Sequence, residues 1–332
     1  MAKERKKPRK TILVSKILVA IPTYNPSGHD HFHVWRQVID SLVKQRKPNL
    51  EVDIVVCDNV SAQNGRDKLI EWQKEIPNLF LIFTEPRLPV HVCTNHAWGL
   101  MKHRGYDYYS YINSDVIHQS PDSYSILTSE MTELPDCAVI SPQVNKDMCE
   151  AFNSMIFFSP SAPPTRLQVS QGVNGHTYLY TDEFMKAYDY RKPDVLWGHR
   201  TEPFISYQCA AIRKAEYLSH KVVLTHYRDN EMNIGLERKE FEFYDKPFET
   251  YGNKESFLLK MSEGIEYGIG FEEVYCVNGG RGIPETRKHK SELYEGGFPK
   301  DDRLYNWIKT NLFLTKEQLD YDKIKYESFG IL

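Results

Sequence analysis

Short apolar segments alternate with amphipathic segments along roughly the first 145 residues of this 332-residue chain. The apolar segments are rich in β-branched and aromatic residues, which favour strands, and the amphipathic segments have helical spacing. Predicted strands cover residues 16–21, 52–57, 79–83, 108–112 and 137–141, and predicted helices cover residues 33–43, 67–74, 94–102 and 121–134. Because strands that alternate with helices pair through helical crossovers, the sequence predicts an α/β sheet flanked by helices.

The fourth predicted strand runs directly into a polar turn, Asn113-Ser114-Asp115. An open α/β sheet binds its ligands at the carboxyl ends of its strands, which is where this turn would lie. A carboxylate at that edge can hold a hard divalent cation, and the cation can hold a diphosphate. The alternative is an ordinary strand-to-helix turn in which Ser114 or Asp115 caps a following helix.

Three other polar segments accompany this turn in a fixed order. Pro22-Thr23-Tyr24-Asn25 follows the first predicted strand, Asp58-Asn59-Val60-Ser61 follows the second, and Asn95 precedes Gly99 by four residues in a predicted helix. Together with the turn at residues 113–115, these segments resemble the family-two glycosyltransferases of the GT-A fold. The resemblance spans roughly residues 16–145 and extends more weakly to residue 280.

The resemblance implies a GT-A-type, Rossmann-like mixed sheet flanked by helices, with a less regular acceptor-side half and a C-terminal helical extension. We expect a disordered basic tail at residues 1–15 and a nucleotide-sugar-binding half at residues 16–145. An acceptor-binding half that holds the catalytic base would cover residues 146–290, and the extension would cover residues 291–332.

The resemblance also implies that the polar turns bind a nucleotide-sugar donor, most simply a uridine one. Asp58 would accept hydrogen bonds from the uracil or ribose edge. Asp115 would bind Mn²⁺ or Mg²⁺, which offsets the charge on the leaving nucleoside diphosphate, and would thus serve catalysis. His289 would add a late metal or phosphate contact, unless it is simply a structural histidine. The remaining donor-site residues are Pro22, Thr23, Tyr24, Asn25, Asn95, Asn113 and Ser114.

Asn113 departs from the family pattern. It stands where the family commonly has the first Asp of an Asp-x-Asp metal motif. The loss of one negative charge weakens metal binding unless another residue supplies a ligand. A catalytically silent nucleotide-sugar-binding protein is therefore an alternative to an enzyme.

Transfer with inversion needs a general base that deprotonates the acceptor hydroxyl. The resemblance points to Glu255, in the segment Gly252 to Lys260, with Ser256 in place of the usual second acid. The alternative is an exposed glutamate in the first turn of a helix, where the helix dipole favours a negative charge. Glu231 is the second candidate for the base.

Several segments of the second half have weaker interpretations. Residues 204–214 resemble the family segment that borders donor sugar and acceptor, although core packing explains their small side chains equally well. Residues 209–218 are predicted to form a strand that enters a helix. Trp197 is either an acceptor platform or part of a packed turn, and Arg281 is either a phosphate clamp or a surface arginine.

Composition narrows the class of protein. A net charge of -3 excludes a chain that binds nucleic acid over its whole surface, although six of the first ten residues are Lys or Arg and could touch DNA, RNA or acidic lipid. The six cysteines show no zinc or redox spacing and are expected to be reduced. Without a secretory signal or an apolar run of bilayer length, we expect a cytoplasmic protein with no integral membrane association.

The resemblance therefore implies an inverting hexosyl- or pentosyltransferase that moves a sugar from a nucleoside-diphosphate sugar, expected to be UDP-linked, to an acceptor hydroxyl. The acceptor would be a glycan or DNA. A DNA-modifying enzyme that acts on a hydroxymethylated base is accordingly a further alternative. A nucleotidyltransferase fits less well, because residues 22–27 lack a glycine-rich phosphate loop.

Overall fold

The computed structural model describes residues 14–26, 28, 32–88, 90–144, 161–167, 171–172, 176–193, 202–227, 275–276, 294–295, 298–319 and 321–331. The basic tail, up to residue 13, lies outside these ranges. So do the sequence-predicted residues Trp197, Glu231, Glu255, Arg281 and His289.

A mixed sheet of ten strands forms the centre of the described structure. Its parallel part contains β1 (Ser15–Thr23), β2 (Leu50–Asp58), β3 (Leu79–Glu85) and β4 (Tyr108–Ile112). Its other strands are β5 (Val116–His118), β6 (Cys137–Val144), β7 (Thr165–Arg166), β9 (Thr177–Thr181), β10 (Ala215–His226) and β14 (Lys325–Phe329). Two separate ladders pair β8 (Gln171–Gly172) with β11 (Tyr275–Cys276) and β12 (Tyr294–Glu295) with β13 (Phe298–Pro299).

The strand order across the sheet is β14-β3-β2-β1-β4-β9-β6-β10-β5, and β7 pairs with β10. The direction changes at β4, which runs parallel to β1 and antiparallel to β9. Farther along, β10 runs parallel to β6 and antiparallel to β5. Because β1, β2 and β4 are parallel, their carboxyl ends meet at one edge of the sheet, where the register places Thr23 opposite Asp58.

Helices cover both faces of this sheet. Along β1, Leu18 and Ala20 lie in one core and Ile17, Val19 and Ile21 lie in the other, and all five are buried. Burial on both faces explains why the parallel strands have continuous apolar sequences. The helices are α1 (Phe32–Val43), α2 (Gln63–Glu75), α3 (Val90–Met101), α4 (Ser123–Glu133), α5 (Asp182–Ala187), α6 (Glu202–Ala211), α7 (Arg303–Asn311) and α8 (Lys316–Leu319).

The C-terminal segment packs onto the same core as α3. Ile308 of α7 and Trp98 of α3 are both buried there. The hydroxyl of Tyr305 donates a hydrogen bond to the carbonyl of Ala187 at 2.8 Å. Strand β14 then pairs antiparallel with β3. Residues 303–331 therefore fill part of one core and cover one edge of the sheet.

The observed sheet with its flanking helices confirms the predicted fold class. The prediction for residues 209–218 is wrong, since a helix precedes a strand there: α6 ends at Ala211 and β10 begins at Ala215. A short apolar run does not distinguish a buried helix from a buried strand, which accounts for the error. In the described ranges, no helix combines the length and apolarity needed to cross a bilayer.

The buried histidine of β5 makes stability depend on pH. The ring of His118 lies 4.8 Å from that of Tyr124, and neither ring nitrogen has a hydrogen-bond partner within the described part of the chain. Burial lowers the pKa of His118 to about 3. An unfolded histidine titrates near pH ~6.5, so the unfolded chain binds more protons below that pH and stability falls as the pH decreases towards the folded pKa.

We therefore predict that His118→Leu flattens the pH dependence of the unfolding free energy. Between pH 7 and pH 5 the parent should lose about 2 kcal/mol more than the variant, as measured by urea unfolding. His103→Leu is the matched control, because it removes an exposed histidine. Equal slopes for the parent and His118→Leu would contradict this role.

Candidate active site

The turns that follow β1 and β2 are joined by the carboxylate of Asp58, which is fully buried. Its Oδ2 accepts a hydrogen bond from the Thr23 hydroxyl at 3.1 Å. Its Oδ1 accepts from the backbone N–H of Ser61 at 3.1 Å and from Nε of Arg66 at 3.1 Å. The hydroxyl of Ser61 in turn accepts from the backbone N–H of Asn25 at 2.9 Å. One carboxylate thus fixes the shape of both turns.

Arg66 of α2 is the cation that balances this buried charge. Its other nitrogens donate to Glu85 Oε1 at 3.2 Å and to the Thr84 carbonyl at 3.3 Å. The guanidinium also lies 5.2 Å from the ring centroid of Phe83. The observed role of Asp58 is therefore to position its neighbours, and its contact with a uracil or ribose edge stays a prediction.

An aromatic face and a cation lie beside these turns. The guanidinium of Arg87 lies 3.6 Å from the ring centroid of Tyr24, and both side chains are half-buried. Asn59 fixes the loop that carries Arg87, because its amide donates to the Leu88 carbonyl at 2.6 Å and accepts from the Leu88 N–H at 2.8 Å. Sequence reasoning missed Arg87, although its place just after β3 at the same sheet edge could have indicated it. Pro22 and Asn25 flank this arrangement and are buried.

Asn95 of α3 holds a backbone segment in place. Its side-chain amide donates to the Lys192 carbonyl at 2.9 Å, and its Oδ1 accepts from the Lys192 N–H at 2.8 Å. These two bonds join positions 97 residues apart in the sequence. The predicted contact of Asn95 with the donor stays a prediction beside this observed positioning role.

The turn after β4 brings Asn113 and Asp115 against two histidines. The backbone N–H of Asn113 donates to the His176 carbonyl at 2.9 Å, and Asn113 Nδ2 lies 3.2 Å from His176 Nδ1. Asp115 Oδ2 lies 3.0 Å from Nε2 of His226. Ser114 is half-buried between them. A strand, β5, follows this turn directly, so Asp115 does not cap a helix.

Sequence reasoning missed both histidines, because no spacing connects them with the turn. The antiparallel pairing of β9 with β4 places His176 opposite Asn113, and the pairing of β10 with β5 places His226 opposite Val116. The two imidazole rings lie 4.1 Å apart at an interplanar angle of 32°. Only the sheet topology identifies these residues.

Asp115 and His226 suit two neighbouring positions around a divalent ion. Asp115 Oδ2 and His226 Nε2 are within hydrogen-bonding distance at 3.0 Å, and carboxylate oxygen and imidazole nitrogen are both ligands that divalent ions accept. Oδ1 of Asp115 is buried without a hydrogen-bond partner among the described residues. Mixed oxygen and imidazole ligands favour Mn²⁺ or a similar transition ion over Mg²⁺. No group of three or more His, Cys, Asp or Glu side chains in the described ranges could hold a metal by itself.

Removing the charge of Asp58 should destabilise the chain, because it leaves the Arg66 guanidinium without its buried partner. For Asp58→Asn we expect an unfolding free energy lower by about 3 kcal/mol in urea or guanidinium titrations. Glu71→Gln removes an exposed carboxylate on the same helix as Arg66, 2.8 Å from Lys68, and should leave stability unchanged. Equal stabilities for parent and Asp58→Asn would show that the Arg66 pair does not support the turns.

Comparisons with known proteins bear on the fold. No protein-family model and no curated protein sequence matches the chain. Among solved structures, GalNAc-T7 with UDP, GalNAc and Mn²⁺ is similar at a TM-score of 0.50 and 12% identity, over 65% of this chain and 43% of that protein. TarS of S. aureus is similar at a TM-score of 0.49 and 16% identity, over 65% of this chain and 37% of TarS.

A mannosyltransferase, PcManGT from Pyrobaculum calidifontis, crystallised with GDP-Man and Mn²⁺, is similar at a TM-score of 0.48 and 15% identity. That alignment covers 64% of this chain and 57% of the mannosyltransferase. The chain thus spans less than two thirds of the length of each of these three proteins. The similarity to GalNAc-T7 concerns architecture alone, and in that sense the chain has the GT-A fold.

Proposed function

We propose that the chain is an inverting glycosyltransferase that moves a sugar from a nucleoside-diphosphate sugar, UDP-linked, to an acceptor hydroxyl with a divalent metal. The observation that supports this most strongly is the pair formed by Asp115 and His226 at 3.0 Å. This pair lies at the carboxyl edge of a GT-A sheet, where the turns of Thr23 and Asp58 also end. Ligands of open α/β sheets bind at that edge.

The donor's base has a suitable surface at the same edge. A planar nucleobase stacks on an aromatic face, and Tyr24 offers one. The guanidinium of Arg87 lies 3.6 Å from the centroid of this ring. In the proposed complex it would donate hydrogen bonds to base carbonyls or to a phosphate. Thr23 and Asp58 keep the neighbouring turn in shape. We propose a uridine donor, and turnover of guanosine sugars is to be tested beside it.

In the proposed reaction, the acceptor oxygen forms a bond to the anomeric carbon while the bond from that carbon to the diphosphate oxygen breaks. The electron pair leaves with the nucleoside diphosphate, and a general base takes the acceptor proton. A divalent ion bound at Asp115 and His226 would supply Lewis-acid stabilisation of the leaving group. The chain itself holds Asp115 in place, since the Asp115 carbonyl accepts from the Tyr227 N–H at 2.7 Å.

The general base is a further part of the proposal. We propose Glu255 as the base, with Glu231 as the second candidate, because the acceptor hydroxyl must lose its proton as it attacks.

Single substitutions should identify the base among these glutamates. Replacing the true base by Gln should lower sugar transfer by roughly 100-fold to 10,000-fold and leave donor affinity unchanged, because the base acts on the acceptor. The experiment compares transfer rates and donor dissociation constants of Glu231→Gln and Glu255→Gln with those of the parent. If both variants transfer sugar like the parent, neither residue is the base.

The metal role of Asp115 gives a second prediction. Asp115→Asn should abolish metal-dependent donor turnover, with a loss of about 100-fold or more, because the leaving group loses several kcal/mol of charge stabilisation. Release of UDP from a UDP-sugar, with Mn²⁺ and with EDTA, measures this. Asp122→Asn is the control, since Asp122 is an exposed carboxylate in the following turn that pairs with Lys47. Equal turnover by Asp115→Asn and the parent would remove the metal role.

The acceptor class is a separate part of the proposal. A glycan hydroxyl and a hydroxymethylated base in DNA are both proposed acceptors, and they differ in their response to salt. Binding to DNA falls steeply as salt rises, whereas transfer to a neutral oligosaccharide does not. The same assays test the catalytically silent alternative, which Asn113 favours: binding without turnover of any uridine or guanosine sugar would support it.

A cytoplasmic location also remains part of the proposal. Cys57, Cys93, Cys137 and Cys209 are free thiols and are buried. Reduced thiols of this kind are typical of proteins that work in a reducing compartment.

A further inference from the structure

The C-terminal strand β14 lies directly beside the part of the sheet that supports the turn of Asp58. Arg66, which binds the Asp58 carboxylate, also contacts the last three residues of β3. The antiparallel register gives each of these three residues a partner in β14: Phe83 lies opposite Glu327, Thr84 opposite Tyr326 and Glu85 opposite Lys325. The residues that hold Arg66 therefore have β14 as their outer neighbour.

A row of side-chain contacts connects β14 with the buried carboxylate. The ring of Phe329 lies 5.4 Å from that of Phe83, at an interplanar angle of 59°. The Arg66 guanidinium lies 5.2 Å from the Phe83 ring centroid, and its Nε donates to Asp58 Oδ1 at 3.1 Å. Phe83 is 4% exposed and Asp58 is fully buried, so a shift of either side chain displaces its neighbours. The end of the chain is thus in contact, through this row, with the turns of β1 and β2.

Further contacts hold β14 in this register. On the opposite face of the strand, the ring of Tyr326 stacks on that of His96 of α3, with the ring centroids 3.5 Å apart. After the strand, Gly330 has a φ of +76°, which glycine adopts at no steric cost. The next residue, Ile331, is buried, and its carbonyl accepts a hydrogen bond from Arg104 at 2.9 Å. Contacts on both faces and at the end of β14 thus define one position for Phe329.

The proposed function assigns the nucleoside of the donor to the turns of β1 and β2. Asp58 gives these turns their shape, because it accepts from the Thr23 hydroxyl and from the Ser61 N–H. Groups that are already held in the bound position give higher affinity, since less conformational freedom is lost on binding. A strand that holds Phe83 and Arg66 in place would therefore contribute to nucleoside binding without touching the donor.

We propose that β14 positions the nucleoside site, with Phe329 as the residue that acts through Phe83 and Arg66 on the turn of Asp58. This inference rests on the proposed function, since it names a residue that prepares the same site for its donor. Phe329 is thus a positioning residue. The pair of Asp115 and His226 does not take part in this row of contacts, so the metal dependence of donor binding should not depend on Phe329.

Calorimetric binding of UDP to the full chain, in EDTA and in Mn²⁺, tests this inference. Phe329→Ala removes the ring that packs on Phe83. We expect it to weaken UDP binding by about 3-fold to 10-fold, which is the size of effect that a packed row of side chains transmits. The factor by which Mn²⁺ raises UDP affinity should equal that of the parent.

A double-mutant cycle with Arg66→Lys tests the route of the effect. Arg66→Lys retains a positive charge beside Asp58 and removes the planar group that lies on the Phe83 ring. If Phe329 acts through this contact, Phe329→Ala should weaken UDP binding by less than about 2-fold in the Arg66→Lys background. Equal effects of Phe329→Ala in the two backgrounds would overturn the inference.

Phe298→Ala is the matched control. Phe298 is also half-buried, and its ring lies 4.9 Å from a guanidinium, that of Arg166, but it belongs to the separate ladder of β12 and β13. This variant should bind UDP like the parent. Thermal unfolding of each variant without ligand checks that the fold is retained. Phe329→Leu, which removes the ring and keeps an apolar side chain, supplies the comparison if Phe329→Ala is unfolded.

The failures of the two proposals have different signatures. If the parent binds UDP and Phe329→Ala binds it equally well, β14 does not position the site and the proposed function stands. If Phe298→Ala loses as much UDP affinity as Phe329→Ala, the loss follows from general destabilisation and the inference also fails. If the parent binds neither UDP nor GDP under any metal condition, both proposals fail.

Discussion

The pairing of β4 with two neighbours of opposite direction is the constraint on which the candidate site depends. Parallel pairing with β1 brings the end of β4 to the same edge as the turns of Thr23 and Asp58. Antiparallel pairing with β9 makes the end of β4 meet the beginning of β9, where His176 lies. If β9 instead ran parallel to β4, the beginning of β9, and with it His176, would lie at the opposite edge of the sheet. The mixed topology is thus what gathers carboxylate and imidazole groups in one place.

Buried charges are the second feature that organises the structure. Each of them has contacts that offset the cost of burial. Asp58 is balanced by Arg66 and by two further hydrogen bonds, so its burial shapes two turns at once. The ammonium of Lys192, which is also buried, lies 3.7 Å from the ring centroid of Tyr111, whose face stabilises a cation. Each of these sets of contacts stabilises a charge that burial alone would make unfavourable.

The sequence predicted much of the fold and only part of the site. Periodicity located β1 to β4 and their helices because burial on both faces leaves a strong apolar pattern. The turns that carry Asp58 and Asp115 were located for the same reason, since each directly follows a predicted strand. His226 and His176 could not be predicted, because strand pairing across 50 or more residues determines their neighbours. Glu255 and His289 lie outside the described residues, and their roles stay predictions.

The C-terminal segment has a consequence for the kinetics of folding. The Arg104 side chain donates to the Ile331 carbonyl across 227 residues, and β3 has its outer neighbour only when residues 325–329 dock. Contacts of such long sequence separation form slowly, because a large loop must close first. Until then β3 presents unpaired backbone groups that another chain could bind. The docking of β14 therefore removes this exposed edge from the folded chain.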